Sequence, residues 1–198
     1  MKYFLLTVVI FLITKGFGQS SYQKLDSLLN KRYDEGEFSG VVVVAKGNRI
    51  QYESAIGYAD IKRSIPLKPT TSFDLSSGGK LFTAIAVGLL VDDGKINFED
   101  PINKYFPSIP QADQMTVAHV MSHQSGLTDF YKSEEFEDYS GIYSCSDLIP
   151  IIEQETLLFA PGDSVYYSTS GMILLGAIVE QVSGFSFPAF VYEHIIQP

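Results

Sequence analysis

From Leu81 to Val91 the chain carries no charged side chain, and a helix through that run is apolar on every side. Such a helix belongs inside a packed core, so the chain must build a globular body around it. An extended segment, Phe73-Asp74-Leu75, leads into this run through Ser77-Gly78-Gly79-Lys80. If Ser77 opens the helix, Lys80 lies one turn further on, on the same face, with its amine within reach of the hydroxyl. A lysine at the start of a buried helix is desolvated, which favours its neutral form. A neutral amine can take the serine proton and leave a nucleophilic oxygen. The positive field of the helix N-terminus falls where the alkoxide would develop. The same spacing also fits an N-capping serine followed by a solvated lysine, the commoner arrangement in unrelated chains.

Length and composition allow one domain with a real core: 198 residues, 45% hydrophobic and 19% charged. The N-terminus has the form of a secretory signal. Lys2 supplies the positive start, Phe4 to Ile13 the apolar region, and Gly16-Phe17-Gly18 the small residues before a cut at Gln19. The apolar region falls short of the roughly 20 residues a bilayer span needs, so no stable membrane anchor is expected. Without residues 1–18 the chain has 12 basic and 23 acidic residues, a formal charge of −11. That surface repels nucleic acid, which is excluded as a partner. The one cysteine, Cys145, excludes an intrachain disulfide and a thiolate metal cluster.

Along the chain, Ser20 to Tyr33 has helical spacing, and Gly40 to Ala45 is β-branched. A Lys46-Gly47-Asn48 turn leads to a returning strand from Arg49 to Ser54, a β-hairpin. Ile56 to Thr70 reads as extended, with Pro66 and Pro69 against helix. Further helices are expected from Leu81 to Asp93, from Thr116 as cap through Ser122, from Asp147 to Leu158, from Gly171 to Val182, and from Ser186 to the end. A sheet lobe followed by a helical lobe places the chain in the α/β class.

Several segments together resemble the serine β-lactamase and penicillin-binding-protein superfamily, above all its class C β-lactamase-related branch. Ser77-Gly78-Gly79-Lys80 with Leu81-Phe82-Thr83-Ala84 is similar to the family's nucleophile motif. Gly94 to Pro101 with Lys104-Tyr105-Phe106-Pro107 is similar to the segment that follows. His123-Gln124-Ser125-Gly126-Leu127 matches its His-x-Ser-Gly-Leu turn, and Pro161-Gly162 with Tyr167-Ser168-Thr169 its second catalytic motif. The resemblance implies a β-lactamase/transpeptidase-like fold and a secreted or periplasmic serine hydrolase acting on an amide, ester or β-lactam. Its substrate would be a small molecule or a peptide. It also implies roles: Ser77 the acylated nucleophile, Lys80 its base partner, Tyr167 general base or proton relay, Thr169 a substrate-binding residue. No cofactor is implied. From the residues alone, Tyr166 and Tyr167 fit aromatic packing at least as well; the motif register selects Tyr167.

The chain departs from the pattern in three places. Thr169 stands where the family usually has asparagine, exchanging a carboxamide that donates and accepts for a hydroxyl of shorter reach. Gly78 and Gly79 occupy the first turn of the nucleophile helix. Nothing between Thr169 and Pro198 matches the family's third motif, so residues 19–198 are expected to be the N-terminal part of the hydrolase domain, without its C-terminal strands and helix. The competing reading is an inactive binding or scaffold descendant, or a truncated product. His119 and His123 have the i, i+4 spacing of zinc ligands, but Val120 stands where zincins place glutamate, and no metal is assigned. The acidic stretch Glu134 to Asp138, with Tyr131, Tyr139 and Tyr143, is placed either to rim the cleft or to form a solvated loop. His119 is expected at the surface and His123 to stabilise a turn.

Overall fold

The β-branched run forms β1 (Gly40–Lys46), paired antiparallel with β2 (Arg49–Ile56). Val44 lies opposite Tyr52, and a bulge follows between Val44 and Ala45. Gly47, at φ +56, makes the intervening turn. The computed structural model describes residues 19–197 apart from Glu137, Tyr139 and Tyr143. The leader expected at residues 1–18 therefore lies outside the described residues, as do Tyr139 and Tyr143 of the acidic stretch.

The chain divides into two compact units, one up to Asp74 and the other from Leu75 onward. In the first, α1 (Gln19–Asp34) packs against β2. Tyr22 stacks on Tyr52 with ring centroids 5.2 Å apart, and the Tyr52 hydroxyl donates to Asp26 at 2.6 Å. The stretch expected to be extended after Ile56 contains β3 (Tyr58–Asp60) and β4 (Ile65–Pro66), a second small antiparallel pair. Among the described residues β1 pairs with β2 alone, and Val43 on it is half exposed.

The second unit is helical. A 3₁₀ turn, Ser76–Gly79, runs straight into α2 (Lys80–Asp92), and Gly94 at φ +70 ends it. Next come α3 (Val117–Met121), α4 (Ile149–Ile152), α5 (Thr169–Ser183) and α6 (Phe187–Val191), the last continued by a π-helical turn to Ile196. The organising element is α5. Its Leu174, Leu175, Ala177, Ile178 and Val179 are fully buried, and α2, α3, α4 and α6 all pack on it. Close approach is needed at Gly176, where a Cβ would stand 2.5 Å from the Cys145 sulfur. No single helix among the described residues is long and apolar enough to cross a membrane.

Two expectations from the sequence need correcting. The helix from Asp147 to Leu158 is cut short: a 3₁₀ turn over Cys145–Leu148 leads to α4, which ends at Ile152. The reason lies at Glu155. Its carboxylate turns inward to accept the Thr128 N–H at 2.7 Å, the Thr128 hydroxyl at 2.8 Å and the Ser170 hydroxyl. These bonds anchor the chain to α5 in place of further helical turns. The second correction concerns α2, which is not buried all round. Thr83, Ala86, Val87 and Leu90 face the core, whereas Leu81 is 63% exposed. Uniform apolarity does not specify which side of a helix is covered; the partner helix does.

Candidate active site

The 3₁₀ entry to α2 puts Ser77 and Lys80 one turn apart, with the Lys80 ammonium 3.4 Å from the Ser77 oxygen. Ser77 is exposed and Lys80 half-buried, so the lysine is less enclosed than a fully buried helix implied. It sits at the open end of the buried stripe. Immediately before the serine, Ser76 adopts φ +46, a left-handed conformation that costs a non-glycine residue on the order of 1–3 kcal/mol and concentrates at functional sites. Gly78 and Gly79 are bordered by open space; a Cβ on Gly78 would meet only the Leu75 Cβ, at 3.8 Å.

Tyr167 comes from the segment that enters α5. Its phenol lies close enough to both Ser77 and Lys80 for each to act on its proton, and the Lys80 nitrogen lies 5.1 Å from its ring centroid. Ser77 first, then Lys80 and its charge, lower the phenol pKa from its ordinary value, against a smaller effect of burial. Serine, amine and phenol are thus brought into one proton-sharing group. Tyr166 points elsewhere: its hydroxyl accepts from the Lys132 ammonium at 2.8 Å.

The segment carrying Tyr167 is held by buried polar contacts. Ser168, fully buried, caps α5 by accepting the Gly171 N–H at 3.0 Å and donates to the Thr128 carbonyl at 2.6 Å. The Thr169 N–H donates to Asp129 at 2.8 Å. Thr169 also lines an apolar pocket of about 360 Å³ with Phe130, Ile142, Cys145, Ile173 and Phe187. Asp129 is buried and also pairs with the Lys132 ammonium at 3.0 Å, with the Tyr131 phenol close by. Burial alone would raise its pKa, but the Thr169 N–H, Lys132 and Tyr131 outweigh it and hold the carboxyl below its ordinary value.

A group with a depressed carboxyl pKa contributes stability that is present above its unfolded value, about 3.9, and is lost as pH falls through its folded value. Urea unfolding of the wild type is therefore expected to show a lower midpoint below about pH 4. Asp129→Asn should cost about 1.5–3 kcal/mol at neutral pH and flatten part of that acid loss. An unchanged acid slope in the variant would remove Asp129 from this role.

Sequence reasoning did not single out Asp129, and nothing in its flanking residues signals its burial. The two histidines have other roles in the structure than zinc-ligand spacing would give them. His119 is not a surface residue: it is half-buried and completes a capping box on α3. Its N–H donates to the Thr116 hydroxyl at 3.1 Å, and its Nδ1 accepts the Thr116 N–H at 3.4 Å. His123 adopts φ +60, and its ring lies 4.6 Å from that of Tyr167. Among the described residues no three His, Cys, Asp or Glu side chains gather as a metal site.

Residues 25–198 match the family model described as Beta-lactamase. Over 184 residues the chain is 32% identical to penicillin-binding protein 4* of Bacillus subtilis (strain 168), a match covering 91% of this chain and 40% of that protein. Its fold is similar to the crystal structure of a penicillin binding protein from Bacillus halodurans, with a TM-score of 0.73 and 31% identity, over 85% of this chain and 52% of the other. It is also similar to EstCE1, described as a hydrolase with promiscuous acyltransferase activity, with a TM-score of 0.75 and 26% identity, over 91% and 52% of the two chains. The fold is β-lactamase/transpeptidase-like, and the chain belongs to the serine β-lactamase and penicillin-binding-protein family of hydrolases. It spans between two fifths and about half of the length of these relatives.

Proposed function

We propose that this chain carries the nucleophile half of a secreted or periplasmic serine hydrolase that works through an acyl-enzyme. The observation that supports the reading most directly is the convergence of Ser77, Lys80 and Tyr167. The lysine lies 3.4 Å from the serine oxygen and 5.1 Å from the Tyr167 ring centroid, and both groups act on the phenol proton. The substrate class is an amide, ester or β-lactam of a small molecule or peptide. Export rests on the leader read in residues 1–18.

In this mechanism Tyr167, its phenolate favoured by Lys80 and Ser77, takes the proton of the Ser77 hydroxyl. The serine oxygen attacks the substrate carbonyl carbon. The resulting oxyanion lies at the N-terminal end of α2, with the Ser77 N–H as one donor. Collapse breaks the bond to the leaving group, which takes the proton back from Tyr167. Water then adds to the ester carbon and gives its proton to Tyr167. The Ser77 ester bond breaks, and the serine regains its proton. Lys80, its nitrogen 5.1 Å from the Tyr167 ring centroid, stabilises the phenolate when it forms. Thr169, two residues beyond Tyr167, is the residue assigned to bind the substrate.

The test uses the full reading frame that contains these residues and a serine-directed acylating probe. Intact-protein mass spectrometry is expected to show one adduct, mapped to the Ser77 peptide and absent from Ser77→Ala. Cys145 is a weak competitor, since burial, and then the Glu180 and Asp147 carboxylates, push its thiol up to about 12. Labelling that persists in Ser77→Ala would place the nucleophile elsewhere and end this reading.

A further inference from the structure

The turn at His123 grips the segment bearing Tyr167 from both sides of that residue. The His123 carbonyl accepts the Tyr166 N–H at 2.9 Å, and its Nδ1 accepts the Ser168 N–H at 3.3 Å. Between these two bonds the imidazole meets the Tyr167 ring, with centroids 4.6 Å apart and planes tilted by 41°. His123 makes both contacts from a left-handed conformation, at φ +60. That conformation is uncommon outside glycine, although histidine, asparagine and aspartate reach it more readily than most residues.

We propose that His123, as the neutral imidazole protonated on Nε2, is a positioning residue that holds the Tyr167 phenol against Ser77 and Lys80, and that protonation of its ring releases this grip. The inference rests on the acyl-enzyme reading above for its consequence, but not for its geometry. An Nδ1 that accepts a backbone N–H has no proton of its own, so the neutral ring must carry its proton on Nε2. Adding a proton to Nδ1 sets N–H against N–H and breaks the bond to Ser168. It also places an imidazolium near the Lys80 ammonium.

The charged and titratable groups facing the ring come from three elements: Lys80 at the start of α2, Asp129 in the loop before α4, and Tyr167 before α5. Desolvation first, and then the Lys80 charge, lower the imidazole pKa; Asp129 acts in the opposite direction. Asp129 is already occupied by the Thr169 N–H, Lys132 and Tyr131. For a histidine with a depressed pKa, the neutral-ring arrangement is complete above the ordinary value near 6.5 and is lost as pH falls through the lower folded value. The acid side of the activity profile is therefore set in part by His123.

Two measurements on the full reading frame test this. In the first, ring nitrogen NMR of histidine-labelled wild type, assigned by comparison with His123→Asn, reads the tautomer at about pH 7.5. The expected result is an unprotonated Nδ1, a protonated Nε2, and Tyr167 ring resonances that move as His123 titrates. An imidazolium or an Nδ1–H tautomer at that pH, or Tyr167 resonances indifferent to the titration, overturns the proposal whether or not the enzyme is active.

In the second, the rate of Ser77 acylation is followed against pH. His123→Asn keeps a residue suited to positive φ and an acceptor near Nδ1. His123→Phe keeps a ring but neither of those. Both should fall by about 10- to 100-fold as the phenol loses its placement, the asparagine variant less. The limb belonging to His123 should vanish from both profiles. Variants that keep the wild-type rate or the wild-type acid limb overturn the proposal. If wild type takes no label at Ser77, the acyl-enzyme reading fails while the NMR measurement still decides the role of His123.

Discussion

Replacing Lys80 by methionine is expected to slow acylation at Ser77 by about 10²- to 10³-fold, the range spanned by losing one preorganised group that stabilises developing charge. The substitution keeps an unbranched stem at a half-buried helix start and removes the amine. Two contacts go with it: the approach to the serine oxygen at 3.4 Å and the approach to the Tyr167 ring, 5.1 Å from its centroid. A second consequence has a definite sign. Lys80 helps to lower the pKa of Tyr167, so in its absence the phenol rises toward its ordinary value. Whatever activity survives should then grow with pH over a higher range than in wild type. Single-turnover acylation with an activated ester across pH, alongside circular dichroism to establish folding, provides the measurement. A folded Lys80→Met protein within threefold of wild type would remove the lysine from the proton-sharing group.

Gly126→Ala is expected to have the largest effect on stability, about 3–5 kcal/mol, from two additive causes. Gly126 adopts φ +80, where a side chain is strained. A Cβ there would also stand 2.2 Å from the carbonyl oxygen of Phe159. Backbone cannot rotate out of the way as a side chain can. The Gly126 carbonyl accepts the Leu158 N–H at 2.9 Å, which ties the two segments together at the point of overlap. Against a typical total of about 5–15 kcal/mol, this is a large share. Urea denaturation of the chain measures it. A loss below about 1 kcal/mol would mean that residues 157–159 move aside freely. Because the same turn carries His123 three residues earlier, such freedom would also weaken the placement of Tyr167.

Local chemistry made much of this legible in advance. The serine-to-lysine spacing, the hairpin with Gly47 at its turn and Thr116 as the cap of α3 all depend on backbone conformations and reach within a few residues. Tyr167 was separable from Tyr166 only through the register of the family motif. In the structure the two residues part company: the Tyr167 ring lies 5.1 Å from the Lys80 nitrogen, whereas the Tyr166 hydroxyl accepts from Lys132. The end of α4 was not legible, because it is decided by Glu155 reaching Thr128 and Ser170, partners 27 and 15 residues away.

What the sequence by itself determined here is the local grammar: where the strands and most helices run, where they are capped, and which serine and lysine share a helical turn. The tertiary structure alone decided which face of α2 is covered, that Asp129 is buried among donors, and that His123 holds the residues on either side of Tyr167. The physical reason is range. Capping, turn formation and helical spacing are settled by atoms a few bonds apart, whereas desolvation and side-chain partnership depend on which distant segment arrives to exclude water. Asp129 and Thr169 are 40 residues apart, and His123 and Ser168 are 45 apart. No periodicity within either segment encodes that the two will meet.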